Sequence, residues 1–130
     1  MIERVFILKR TEVFGDLDED ILTSLSQYLD EAHFDPGESI FKRGDVGKTM
    51  YIVAHGTVRI HDNGETIGMI GEDEIFGERS ALTGNLHSAS ATAETHCKLL
   101  KLDEDLLYEL MADHPEVSRG LIEVLLKRFQ

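Results

Sequence analysis

The chain has 130 residues, 42% of them hydrophobic, and a formal net charge of −12 from 13 Lys plus Arg against 25 Asp plus Glu. So acidic a balance disfavours bulk attraction to nucleic acid or to an anionic membrane, though it leaves room for one local anion pocket. The length sets one domain, residues 1–130, with enough chain for a core that needs no staples.

Cys97 is the single cysteine, so no internal disulfide can form. No charged n-region precedes an apolar run, and no apolar stretch approaches about 18 residues. The expectation is a soluble cytoplasmic protein, or a cytoplasmic domain of a larger one.

Ile2, Val5, Phe6 and Leu8 form a short helical stripe over Met1–Arg10, and Val13-Phe14-Gly15 breaks it. Asp16 precedes Glu19 by three residues, an acidic form of the capping-box spacing. Ile21, Leu22, Leu25, Tyr28 and Leu29 then fall on one helix face, which predicts a helix from about Asp18 to Leu29.

From Ala32 the pattern alternates. Pro36-Gly37 is a turn, Ser39–Lys42 a short strand, and Gly44–Gly47 a loop. Met50–Ala54 is apolar throughout, as expected of a strand covered on both faces. Thr57–His61 alternates, Asn63-Gly64 is the strongest hairpin signal, and Glu65–Ile70 returns. Gly71-Glu72-Asp73 turns before Phe76, and Cys97–Leu102 is a further strand. Asp103 is placed to cap a helix carrying Leu106, Leu107, Leu110 and Met111. Pro115 is placed to open a last helix with Val117, Leu121, Val124, Leu125 and Phe129. Short strands, Gly-rich turns and helices at both ends predict a mainly β fold, a small barrel or jelly roll.

Between strands lies Ile75–Ala93, IFGERSALTGNLHSASATA. Its small residues suit close backbone approach rather than core filling, and an anion is the usual object of such an approach.

The ordered set Phe34–Ile40, Gly44-Asp45, Met50–Val53, Gly56–Val58 and Phe76-Gly77-Glu78 resembles the cyclic nucleotide-binding domain family over nearly the whole chain. The resemblance implies a β-roll of about eight strands, a double-stranded β-helix or jelly roll. It implies N-terminal helices over about 1–30, the roll over 31–102 and two C-terminal helices over 103–130. Ile75–Ala93 is then the family's phosphate-binding cassette.

In that family the cassette Glu, here Glu78, accepts a hydrogen bond from the ribose 2′-hydroxyl, and Gly77 lets the backbone approach. Backbone N–H groups of Arg79, Ser80 and Ala81 would face the phosphate. An Arg usually forks onto the phosphate oxygens. Aligned without a gap, that position holds His87, followed by the expected small residues Ser88 and Ala89. A charged hydrogen bond is worth about 1.5–3 kcal/mol, about tenfold to a hundredfold in affinity. A His of ordinary pKa is mostly neutral at pH 7.

The implied function is a regulatory domain, not an enzyme. It would bind cyclic AMP or cyclic GMP, hold no cofactor, and signal through its C-terminal helices to an effector in a longer parent protein. The chain ends before any helix-turn-helix segment, so nucleic acid and direct membrane insertion are not expected partners. A homo-oligomer is left open. The alternative reading is a degenerate nucleotide-binding fold, kept as an interaction or structural module.

Blander readings compete at each position. Glu78 alone reads as a carboxylate at a helix start, Arg79 as part of a solvated face, Cys97 as a buried structural thiol, and Gly37, Gly44, Gly56 and Gly71 as turns. The six His residues invite a cupin-like metal site, but no His-x-His pair occurs. His55 and His61 read as flanking one strand, too far apart along it to share a ligand.

Overall fold

The computed structural model describes residues 2–128. Helices α1 (Ile2–Arg10) and α2 (Glu19–Ser26) precede β1 (Asp30–Phe34), β2 (Ser39–Phe41), β3 (Thr49–His55), β4 (Val58–Asp62), β5 (Glu65–Ile70) and β6 (Ile75–Phe76). A helical turn α3 (Glu78–Thr83) follows, then β7 (Ser90–Ala93), β8 (Cys97–Asp103), α4 (Glu104–Asp113) and α5 (Pro115–Arg128). Eight strands form two antiparallel four-stranded sheets, ordered β1-β8-β3-β6 and β2-β7-β4-β5. This is the β-roll with N-terminal and C-terminal helices that the resemblance implies.

Two apolar layers explain why β3 and β8 carry apolar residues in succession. Met50, Ile52, Leu100 and Leu102 face the helices, packing with Leu8, Phe14, Leu22, Leu107 and Leu121. Val53, Leu99 and Cys97 face inward between the sheets, with Val58, Phe76, Ala91 and Ala93. A strand covered on both faces needs no polar side. Cys97 is buried, and its Sγ–H donates to the Thr57 carbonyl at 3.2 Å.

The expected local devices are present at three points. Asn63 and Gly64 both have positive φ, 51° and 82°, as a tight hairpin turn between β4 and β5 requires. Asp103 caps α4 by accepting from the Leu106 N–H at 2.9 Å. Pro115 opens α5.

Other expectations are corrected. The Asp16–Glu19 capping box does not form, because Asp18 is the N-cap residue of α2 and makes no side-chain cap bond. α2 stops at Ser26 instead of Leu29. The Arg4 guanidinium donates to the carbonyls of Ser26 at 3.0 Å and Leu29 at 2.7 Å, and β1 pairs with β8 from Asp30 onward. Carbonyls left over at a helix end have found a side chain and a sheet instead of another helical turn. The stripe on α1 is rotated, with Ile7 and Leu8 buried and Ile2 and Phe6 exposed. Val13 and Phe14, read as a break, are core residues. His55 ends β3 while His61 lies on β4, so they do not flank one strand. Phe129 lies outside the described residues.

Among the described residues, no helix is long and apolar enough to cross a membrane. Nor does any group of three or more His, Cys, Asp or Glu there fit a metal ion.

Candidate functional site

The Ile75–Ala93 stretch wraps one end of a cavity of about 470 Å³, within the size range of small-molecule sites. β6 leads into it. Gly77, at φ 77°, turns the chain from strand to helix, and a Cβ there would sit 3.0 Å from the Thr49 carbonyl and 3.3 Å from the Tyr51 ring. Both the left-handed φ and the space require glycine. Gly84 ends α3 in the same conformation, φ 72°.

Glu78 follows Gly77 and is 3% exposed. The Arg128 guanidinium, reaching in from the last turn of α5, donates to Glu78 Oε1 and to the Ile75 carbonyl. A buried carboxylate needs such a partner, because its desolvation is otherwise uncompensated. Leu125 of α5 and Ile67 and Met69 of β5 line the same cavity.

His87 is the point of departure from the family pattern. Its backbone is clipped to the β2–β3 loop, with the His87 N–H donating to the Asp45 carbonyl and the Gly44 N–H donating to the His87 carbonyl, both at 2.9 Å. Its ring lies on Phe41 at 3.6 Å between centroids, 5° from parallel. Its Nδ1 hydrogen-bonds with Ser80 Oγ at 3.2 Å. The imidazole is 7% exposed. Burial pushes its pKa below the ordinary histidine value, against a smaller opposing pull from Asp45. It is therefore a neutral group at pH 7.

Of the residues named from the sequence, Gly77, Glu78, Arg79, Ser80, His87, Ser88 and Ala89 all line the cavity. Ala81 does not join them. It is buried against the helices, and its N–H donates to the Gly77 carbonyl at 3.3 Å. Sequence reasoning missed Arg128 and Phe41. Phe41 reads as an ordinary strand aromatic, and Arg128 as a basic residue at a helix C-terminus. Only the folding of α5 across the roll brings Arg128 to Glu78.

A glycine-initiated helical turn at the mouth of a cavity, in an antiparallel roll whose C-terminal helix lines the same cavity, defines a helix-flanked β-roll with a preformed pocket. The family model for the cyclic nucleotide-binding domain matches residues 31–114, and the chain belongs to that family. It is 32% identical over 116 residues to the human potassium/sodium hyperpolarization-activated cyclic nucleotide-gated channel 4, covering 89% of this chain but 10% of the channel. It is 30% identical over 129 residues to the CRP-like cAMP-activated global transcriptional regulator of Mycobacterium tuberculosis (strain CDC 1551 / Oshkosh), covering 95% of this chain and 58% of the regulator. The regulatory domain of Toxoplasma gondii PKA, solved as a co-crystal with cAMP, superposes with a TM-score of 0.81 at 25% identity over 97% of this chain and 50% of that one. The chain thus spans a small part of the channel and little more than half of the regulator.

Proposed function

We propose that the chain is a regulatory module that binds a cyclic nucleotide, cyclic AMP or cyclic GMP, and passes the event to an attached effector in a larger cytoplasmic protein. It has no enzymatic role in this reading, and its 130 residues act as one domain. The observation that carries the reading is a single cavity bounded by both the cassette and α5. A ribose seated at Gly77-Glu78 engages the carboxylate that Arg128 now holds, so ligand entry and the position of α5 are coupled. The base takes the apolar wall of Ile60, Ile67, Met69 and Leu125. The phosphate takes the Ser80, Ser88 and Ala89 end.

A second reading, the fold kept as an interaction module, is favoured by one specific feature. The position where the family usually carries Arg presents a buried neutral imidazole.

Thermal denaturation with millimolar cyclic AMP or cyclic GMP separates the two. Ligand in about hundredfold excess over Kd adds about 2.7 kcal/mol, which raises Tm by about 5 °C or more for a chain of this size. In the sensor reading the wild type shows this rise and Glu78→Gln shows a much smaller one. An unchanged Tm with both nucleotides supports the interaction module.

A further inference from the structure

We propose that His87 serves the ligand's phosphate at one remove: its Nδ1–H donates to Ser80 Oγ, which frees the Ser80 hydroxyl proton to donate to a phosphate oxygen in the cavity. This rests on the sensor reading above and names the groups that hold the anion within it. Ser80 is the binding group, and His87 positions it.

Ser80 stands in α3, is 6% exposed, and borders both the main cavity and an adjoining pocket of about 100 Å³. A hydroxyl in a helix commonly turns back to the carbonyl one turn earlier. Thr83 of the same helix does so, donating to the Arg79 carbonyl at 2.8 Å. Ser80 does not. Among the described residues its Oγ is paired with His87 Nδ1 alone, at 3.2 Å. Packing fixes the pair. The imidazole lies on the Phe41 ring, and the His87 backbone is clipped to Gly44 and Asp45. On the Gly47 side, a Cβ at Gly47 would fall 2.4 Å from Ser80 Cβ and 2.8 Å from His87 Nε2.

A hydroxyl has one proton and two lone pairs. If Ser80 gives its proton to Nδ1, it keeps only lone pairs for the cavity, and these repel an anion. If it accepts from Nδ1–H, its proton is free for the phosphate. Neutral imidazole carries its one N–H on either nitrogen, and Nε2 has no hydrogen-bond partner among the described residues. A phosphate at the cassette end therefore selects the Nδ1–H tautomer, since only that tautomer leaves Ser80 a proton to give. An imidazolium donates from Nδ1 as well, so the relay works in either charge state. A hydrogen bond to a charged acceptor is about twice as strong as one between neutral groups.

The test is calorimetric titration of cyclic AMP into the wild type, Ser80→Ala, His87→Phe and the double variant Ser80→Ala/His87→Phe. Ser80→Ala keeps the Cβ that packs on Gly47 and should weaken binding by about tenfold or more. His87→Phe keeps a ring able to stack on Phe41 and should weaken binding by a comparable factor. The double variant should bind no more weakly than the weaker single variant, because each change removes the same bond. Circular dichroism melts confirm that each variant folds. Nitrogen NMR of isotope-labelled histidine needs no variant and reads what a packing role would not move. With saturating cyclic AMP the proton should sit on His87 Nδ1. Any of three results overturns the relay and leaves the sensor reading standing: Ser80→Ala within about twofold of wild type, losses that multiply in the double variant, or an Nδ1 without its proton in the complex. No wild-type binding at millimolar ligand overturns both.

Discussion

The His87 ring lies flat on the Phe41 ring, 3.6 Å between centroids and 5° between planes. Stacking of this kind is an aromatic packing contact, and it holds the imidazole as part of the cavity wall. The cassette backbone is retained, from Gly77 through Gly84, while the residue at its far end has become part of the wall.

Replacing His87 by Arg gives up the stack on Phe41 and the hydrogen bond to Ser80, and turns a guanidinium toward the cavity that His87 lines. The expected result is cyclic nucleotide binding about tenfold tighter or more, at some cost in Tm. Calorimetry and a melt of the same sample check both. Unchanged affinity would mean that position 87 is not presented to the phosphate.

Gly47 closes the nook from the other side. A Cβ there would lie 2.4 Å from Ser80 Cβ and 2.8 Å from the His87 ring. Gly47→Ala must push apart α3 and the β2–β3 loop. Overpacking of this kind costs about 1–3 kcal/mol, read as a lower denaturation midpoint. A variant as stable as the wild type would show that the nook is loose.

Protonation of His87 opposes folding. Its pKa is lowered by burial, so the unfolded chain binds the proton more readily. The stabilisation is fully present above the unfolded value of about 6.5 and is lost as pH falls through the lower folded value. The exposed His33, His55 and His96 each face a carboxylate, so the informative quantity is a difference between proteins. The Tm advantage of wild type over His87→Gln should narrow between about pH 7 and pH 5. A gap that widens on acidification would mean that the folded imidazole is charged.

Arg128 and Glu78 form one coupled unit across α5 and the cassette. Arg128→Ala leaves a buried carboxylate unpaired and should cost about 1–3 kcal/mol. Arg128→Ala/Glu78→Gln should cost less than the sum of the single changes, because the second removes the charge the first orphaned. Additive losses in denaturant melts would place the two side chains apart.

What the sequence made legible follows from how local the physics is. The Asn63-Gly64 turn, the Asp103 cap, the Pro115 helix start and the doubly buried Met50–Ala54 segment are each set by neighbouring residues. The end of α2 depends on Arg4, more than 20 positions earlier, and no periodicity within α2 carries that information. β7 is hard to read in the sequence because Ser90–Ala93 alternates only small side chains, and it is a strand by pairing between β2 and β4. At the site, the order Gly77-Glu78 located one end of the cavity. Arg128 and the inward turn of His87 depend on contacts 50 and 46 residues apart in sequence, which only the closed roll creates.

The central claim is that a cyclic nucleotide occupies the space between the cassette and α5. Titration calorimetry of the wild-type chain with cyclic AMP and cyclic GMP, at pH 7 where His87 is neutral, tests it most directly. The account predicts one-to-one binding that is weakened by Glu78→Gln and tightened by His87→Arg. Absence of heat with both nucleotides at millimolar concentration would contradict it.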